Sequence, residues 1–161
     1  MILVLHNIRS VYNVGSIFRT ADAGGVSQII LSGYTPAPLD RFNIPRKDLA
    51  KVSLGAEKTV PWTQIKSLPT AIKHLKHEGC MIVAVEQDKR ATSLFDFRPP
   101  KNKKLALVLG NEVRGLSKTS LKLVDAIVEI PMHGKKESLN VSVAAGVVVF
   151  MLARNIRESR Q

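Results

Sequence analysis

One cysteine, Cys80, occurs in 161 residues, which excludes an intramolecular disulfide and a cysteine-based metal framework and fits a reducing compartment. No apolar run approaches the roughly 20 residues needed to cross a bilayer, the longest being Val143 to Ala153. The opening "ILVLHNIRS" is too short for a signal-peptide core and lacks the basic segment that should precede one, so the chain is read as cytoplasmic. Aromatic residues are scarce, with two Tyr, five Phe and one Trp, too few for an array of base-stacking rings. Acidic residues are also in deficit: 13 Asp and Glu face 24 Lys and Arg, a net charge of +11. Such an excess favours a polyanionic partner, nucleic acid first, with a solubilising basic surface as the plainer alternative. No long basic amphipathic helix supports a membrane role.

Several chemical signatures are missing as well. G-x-G-x-x-G is absent, and although Gly110 and Gly115 have the P-loop separation, Leu116 stands where its lysine belongs. A dinucleotide enzyme of Rossmann type therefore lacks its fingerprint. Without G-x-S-x-G a serine-hydrolase reading gains nothing. His6, His74, His77 and His133 are joined by no cysteine or carboxylate at ligand spacing, so they read as surface histidines and no metal is expected.

With 45% apolar and 23% charged residues, the chain has the composition of one globular domain spanning residues 1–161. Short β-rich apolar runs recur at Ile2–Leu5, Gln28–Leu31, Met81–Val85, Leu105–Leu109 and Ala126–Ile130. Runs without polar alternation are the mark of strands buried on both faces, which predicts an α/β fold with a mainly parallel sheet flanked by helices. Leu68, Ala71, Ile72 and Leu75 give one face of a helix that Gly79 closes. The stretch from Gly33 to Trp62 reads as one long irregular region, and its prolines and cations make it a candidate substrate-binding arm. "DFRPPKNKK" reads as a second basic connection.

Three stretches carry more specific chemistry. In "NVGSIFRTADAGG", Val14, Ile17, Phe18 and Ala21 mark a helical face, with Asn13 near the helix start and Arg19 off that face. The pair lies near a strand's carboxyl end, where open α/β sheets bind ligands; otherwise Asn13 is a cap and Arg19 pairs with a surface acid. In "LGNEVRGLS", a glycine leaving a buried strand allows close backbone approach to a ligand, or else forms a simple turn with Asn111 and Gly115. In "IPMHGKKESLNVSVAAGVVVF", a polar loop runs straight into a segment too apolar for a surface helix, so that segment belongs in the core or at a subunit contact. Ser138 and Asn140 stand at its mouth, where helix-start donors are free and capping is one explanation for them.

Taken together and in this order, the stretches resemble the three signature motifs of the SpoU (TrmH) family of RNA ribose 2′-O-methyltransferases, within the SPOUT superfamily. The matches are Asn13, Gly15 and Arg19; Leu109 to Leu116; and Ile130 to Met132 with Ser138 to Ala144. The resemblance implies a C-terminal deep trefoil knot, bound S-adenosyl-L-methionine, and a homodimer whose active site draws on both subunits. It assigns catalysis to Arg19, Asn13, Glu112, Ser138 and Asn140. Cofactor contacts fall to Leu109, Gly110, Asn111, Glu112, Gly115, Ile130, Met132, Ser138 and Leu139. Arg9, Arg41, Arg46, Lys47 and Arg114 are the cations expected to meet RNA. Many relatives carry an additional N-terminal RNA-binding domain, whereas this chain starts almost at the first motif, which leaves transfer and ribosomal RNA both open, the former modestly preferred. A noncatalytic RNA-binding or assembly protein that keeps the fold is the competing reading.

Overall fold

A computed structural model describes residues 1–158. Seven parallel strands form one sheet: β1 (Ile2–His6), β2 (Gln28–Ser32), β3 (Trp62–Ile65), β4 (Met81–Val85), β5 (Thr92–Ser93), β6 (Leu105–Leu109) and β7 (Ala126–Glu129), in the order β3-β2-β1-β6-β4-β7-β5. The helices are α1 (Val11–Gly24), α2 (Lys47–Ser53), α3 (Ala56–Thr59), α4 (Leu68–His77), α5 (Lys118–Leu121) and α6 (Val141–Glu158). Every expected strand and the expected helix from Leu68 form. Two further strands, β3 and β5, form at the sheet edges outside the expected runs. β3 exposes Thr63 and Gln64 between half-buried Trp62 and Ile65, and β5 is two residues long, so neither carries a continuous apolar run.

Side chains alternate across the sheet, so successive residues of one strand feed opposite cores. Leu3, Leu5, Ile29, Leu31, Leu107 and Leu109 face α1 and α6 with Ile17, Phe18, Val148 and Val149, whereas Ile2, Val4, Ile30, Ala106 and Val108 face α4 with Leu68, Ile72 and Leu75. At about 25 cal/mol per Å² of apolar surface removed from water, these two layers supply most of the drive to fold.

The region from Gly33 to Trp62 is not one irregular excursion, because it contains α2 and α3. These helices are short, and Leu49 is their fully buried anchor, so the sequence shows little periodicity. They explain Gly15 of the first motif. A Cβ there would lie 2.9 Å from the Leu49 carbonyl oxygen and 3.1 Å from Val52 Cβ, so the glycine lets α1 and α2 touch.

Candidate active site

Parallel strands deliver their carboxyl ends to one edge of the sheet, and the loops leaving β1, β4, β6 and β7 meet there. The loop after β6 is the most tightly built. Asn111 is buried; its Nδ2 donates to the Asn7 carbonyl at 2.9 Å and to Tyr34 Oη at 3.1 Å, while its Oδ1 accepts from the amides of Val113 at 3.0 Å and Arg114 at 2.8 Å. The loop closes as the Gly115 amide returns to the Asn111 carbonyl at 2.9 Å. A Cβ on Gly110 would stand 2.7 Å from the Gly115 carbonyl carbon and 2.8 Å from the Leu116 nitrogen. The loop's own closure therefore requires that glycine.

Glu112 joins this loop to the start of α1. Its carboxylate accepts from the amides of Arg9 at 2.9 Å and Ser10 at 3.0 Å, and from Asn13 Nδ2 at 3.1 Å. Partial burial works against its charged form, but the hydrogen bonds from Ser10, Arg9, its own amide and Asn13 outweigh it, holding the carboxyl below its ordinary range. Asn13 in turn accepts at Oδ1 from Asn140 Nδ2 at 3.2 Å. Asn140 caps α6, accepting from the Ser142 amide at 2.8 Å. One hydrogen-bonded chain, Glu112 to Asn13 to Asn140, thus unites the three stretches. Asn13 is not the α1 cap: Ser10 fills that place, its Oγ accepting from the Asn13 amide at 3.2 Å, which leaves the Asn13 side chain to the network.

Beside this chain lie two adjoining recesses of about 130 and 330 Å³, both bordered by Val85, Glu86, Gln87, Ser138, Leu139 and Ala144. Ile130 and Met132 line the smaller; Leu109, Gly110, Asn111, Glu112 and Gly115 line the larger, whose size falls in the range of roughly 300–1,000 Å³ usual for small-molecule sites. Arg114 reaches the rim of the larger one, and Arg9 is exposed beside Glu112. Arg19 borders neither recess. It is exposed on α1, and no hydrogen bond or ion pair joins it to the described residues, so the surface-acid pairing is not found among them. Arg41 and Arg46 lie on the connection between β2 and α2, and Lys47 is the first residue of α2.

Sequence reading missed Glu86 and Gln87, the first residues beyond β4. Glu86 Oε2 accepts from the Leu116 amide at 2.7 Å, and its carboxylate fills the space a Gly115 Cβ would need. Gln87 Nε2 donates to the Glu137 carbonyl, tying the loop that carries Ser138. Their place directly after a buried strand was the available signal. Among the described residues no cluster of three His, Cys, Asp or Glu side chains is placed to hold a metal ion, and no helix is long and apolar enough to cross a membrane.

Residues 1–150 match the model of the SpoU rRNA Methylase family. The chain is 35% identical over 156 residues to the 23S rRNA (guanosine-2′-O-)-methyltransferase RlmB of Ralstonia nicotianae, covering 96% of this chain and 58% of that one. It spans about three fifths of the length of the curated relatives it matches. Among solved structures, the AdoMet-bound rRNA methyltransferase of Sinorhizobium meliloti superposes with a TM-score of 0.86 at 28% identity, covering 96% of this chain and 56% of that one. A structure described as giving insight into 2-OH methylation of C/U34 on tRNA superposes with a TM-score of 0.80 at 26% identity, covering 98% of this chain and 96% of the other.

Proposed function

The chain belongs to the SpoU rRNA methylase family, and from that premise we propose that it methylates a ribose 2′-hydroxyl of structured RNA with S-adenosylmethionine as donor. The observation that carries this reading is the Glu112–Asn13–Asn140 chain beside the recess. The recess residues suit the donor. Val85, Ile130, Met132, Leu139, Val141 and Ala144 offer apolar contact for a purine ring, while the Glu86, Glu129 and Glu137 carboxyls suit a molecule bearing positive charge. Leu109, Gly110 and the loop from Ile130 to Leu139 would hold it.

When bound, the donor supplies a methyl group already made electrophilic by its sulfonium. The chain's task is then to align the hydroxyl and to stabilise negative charge as it grows on the oxygen. Arg19 suits the second task, since a guanidinium stays charged and presents a fixed fork of donors. It acts as an electrostatic stabiliser, and the proton leaves to water or to a substrate phosphate. Asn13, Ser138 and Asn140 orient the ribose, and Glu112 fixes Asn13. Because Arg19 meets no partner among the described residues, it is assigned to a site completed across a homodimer. The exposed apolar residues Tyr12 on α1 and Val143, Val147 and Phe150 on α6 supply the contact. A monomeric mass by light scattering at micromolar concentration would remove that assignment. We carry over the trefoil knot on the same premise: pulled apart by its ends, a knotted chain reaches less than the ~3.3–3.6 Å per residue of a free one.

The relatives' names favour ribosomal RNA over transfer RNA as the substrate, and we assign the reaction to the cytoplasm, whose reducing conditions suit a chain with a single cysteine. The test is transfer of tritiated methyl from S-adenosylmethionine to total RNA from cells lacking the protein, followed by nucleoside mass spectrometry. A labelled 2′-O-methylnucleoside is expected, and R19A should abolish it while leaving donor affinity intact. Donor binding without transfer to any RNA would favour a noncatalytic RNA-binding role.

A further inference from the structure

The connection from β2 to α2 is a hairpin held in one shape by a single carboxylate. Asp40 Oδ1 accepts from the amides of Phe42 at 2.8 Å and Ile44 at 2.9 Å. Its backbone amide reaches the Ile44 carbonyl at 2.9 Å, and its carbonyl accepts from Asn43 at 3.0 Å. Asn43 takes the left-handed conformation at φ 61°, and Leu39 bridges Pro45 in antiparallel fashion below it. The root is fixed to the active site, because Tyr34 Oη accepts from Asn111 Nδ2 at 3.1 Å.

This ordered tip holds its apolar side chains out to solvent: Phe42 is 66% exposed and Ile44 58%. Hydrophobic burial does not explain them there. The Arg41 guanidinium lies 4.7 Å from the Phe42 ring centroid, covering one face of the ring. Arg46 at the base has a buried Nε with no acceptor among the described residues, and Lys47 is exposed beside it.

We propose that the Arg41–Phe42 tip is a recognition finger on which an unpaired base of the RNA stacks, with Arg46 and Lys47 holding its phosphates. This rests on the RNA-directed reading of the active site. The open face of the ring fits a flat π-system, the cation behind it strengthens the stack, and the fixed hairpin lowers the ordering cost of binding. The surrounding charge favours RNA over a protein partner, at +11 for the chain. A solitary ring of this kind differs from the aromatic array that the composition argues against.

The test uses the whole chain and two probes at fixed salt: an oligouridylate strand of about 12 nucleotides, within the usual site size for single-strand binding, and an RNA duplex of similar length. F42A should bind the strand roughly tenfold more weakly, the amount expected from one lost base stack, while duplex binding changes little. F42W should restore strand binding, and a 4-thiouridine strand should crosslink to the wild-type tip. Donor affinity and oligomeric mass should match wild type. Unchanged strand affinity in F42A overturns the finger, as does an equal loss on both probes. A fall in oligomeric mass instead assigns Phe42 to a subunit contact. If wild type transfers no methyl yet shows Phe42-dependent strand binding, the enzymatic reading fails and the finger stands.

Discussion

Two loops border the same recess and are built in opposite ways. Leu109–Leu116 is braced on every side, by Asn111 within, by Glu86 just beyond β4, and by Glu112 gripping the start of α1. Pro131–Asn140 has no helix or strand, and its residues from His133 onward are exposed. Its ties are the Gln87 bond to the Glu137 carbonyl and the anchoring of Asn140 at its end. Their glycines show the same contrast. A Cβ on Gly110 would collide with the returning backbone, whereas one on Gly134 would meet nothing within 4 Å. One wall of the site is therefore formed before any ligand arrives, and the other retains freedom to close.

The sharpest break of this contrast is Gly110→Val. It should lose roughly 3 kcal/mol or more in denaturant unfolding, with donor affinity falling alongside, because the collision is with backbone that cannot swing aside. Gly134→Ala is its control, and equal losses in the two variants would erase the distinction. Asn111→Ala comes next, at about 1–3 kcal/mol, since it removes a buried side chain together with the four hydrogen bonds that shape the braced loop. Glu112→Gln should cost about 1–2 kcal/mol and also change the acid limb of stability. The Glu112 carboxyl is depressed in the fold, so its contribution is present above the unfolded value near ~4.3 and is lost as pH falls through the lower folded value. Acid unfolding of E112Q should lack that component, and superimposable wild-type and variant acid limbs would count against it. Smallest should be Ser138→Ala, within about 0.5 kcal/mol in stability, although methyl transfer should drop. Hydrogen exchange with and without S-adenosylmethionine would sharpen the contrast: slowing is expected in residues 131–140, with little change in residues 109–116.

The braced region was also the more legible. Five buried strands declared themselves because two-sided burial leaves uninterrupted apolar runs, while β3 and β5 at the sheet margins need no such pattern. The three motifs marked the residues around the recess, but local sequence could not say why each was there. Gly15 looked like part of a ligand motif and is a contact point between α1 and α2. Asn13 had capping as an alternative role, and Ser10 takes that role. Glu86 carried no local signal beyond its position after a strand, because its partner Leu116 is distant in sequence. Such assignments depend on which strands become neighbours, which single-strand periodicity does not encode.

The order of the strands also has a consequence for how the protein is made. β6 lies between β1 and β4, so the centre of the sheet is occupied by a strand synthesised roughly a hundred residues after the first. At about 5–20 residues per second on the ribosome, β1 waits on the order of 5–20 s with one hydrogen-bonding edge open. β4 emerges late in that interval with both edges open, one awaiting β6 and the other β7. β6 must enter between β1 and β4 to seal the facing edges of both, and the outer edge of β4 stays open until β7 follows. Aggregation during synthesis should therefore peak just before Leu109 leaves the exit tunnel, and slowing translation upstream of Leu105 should worsen it.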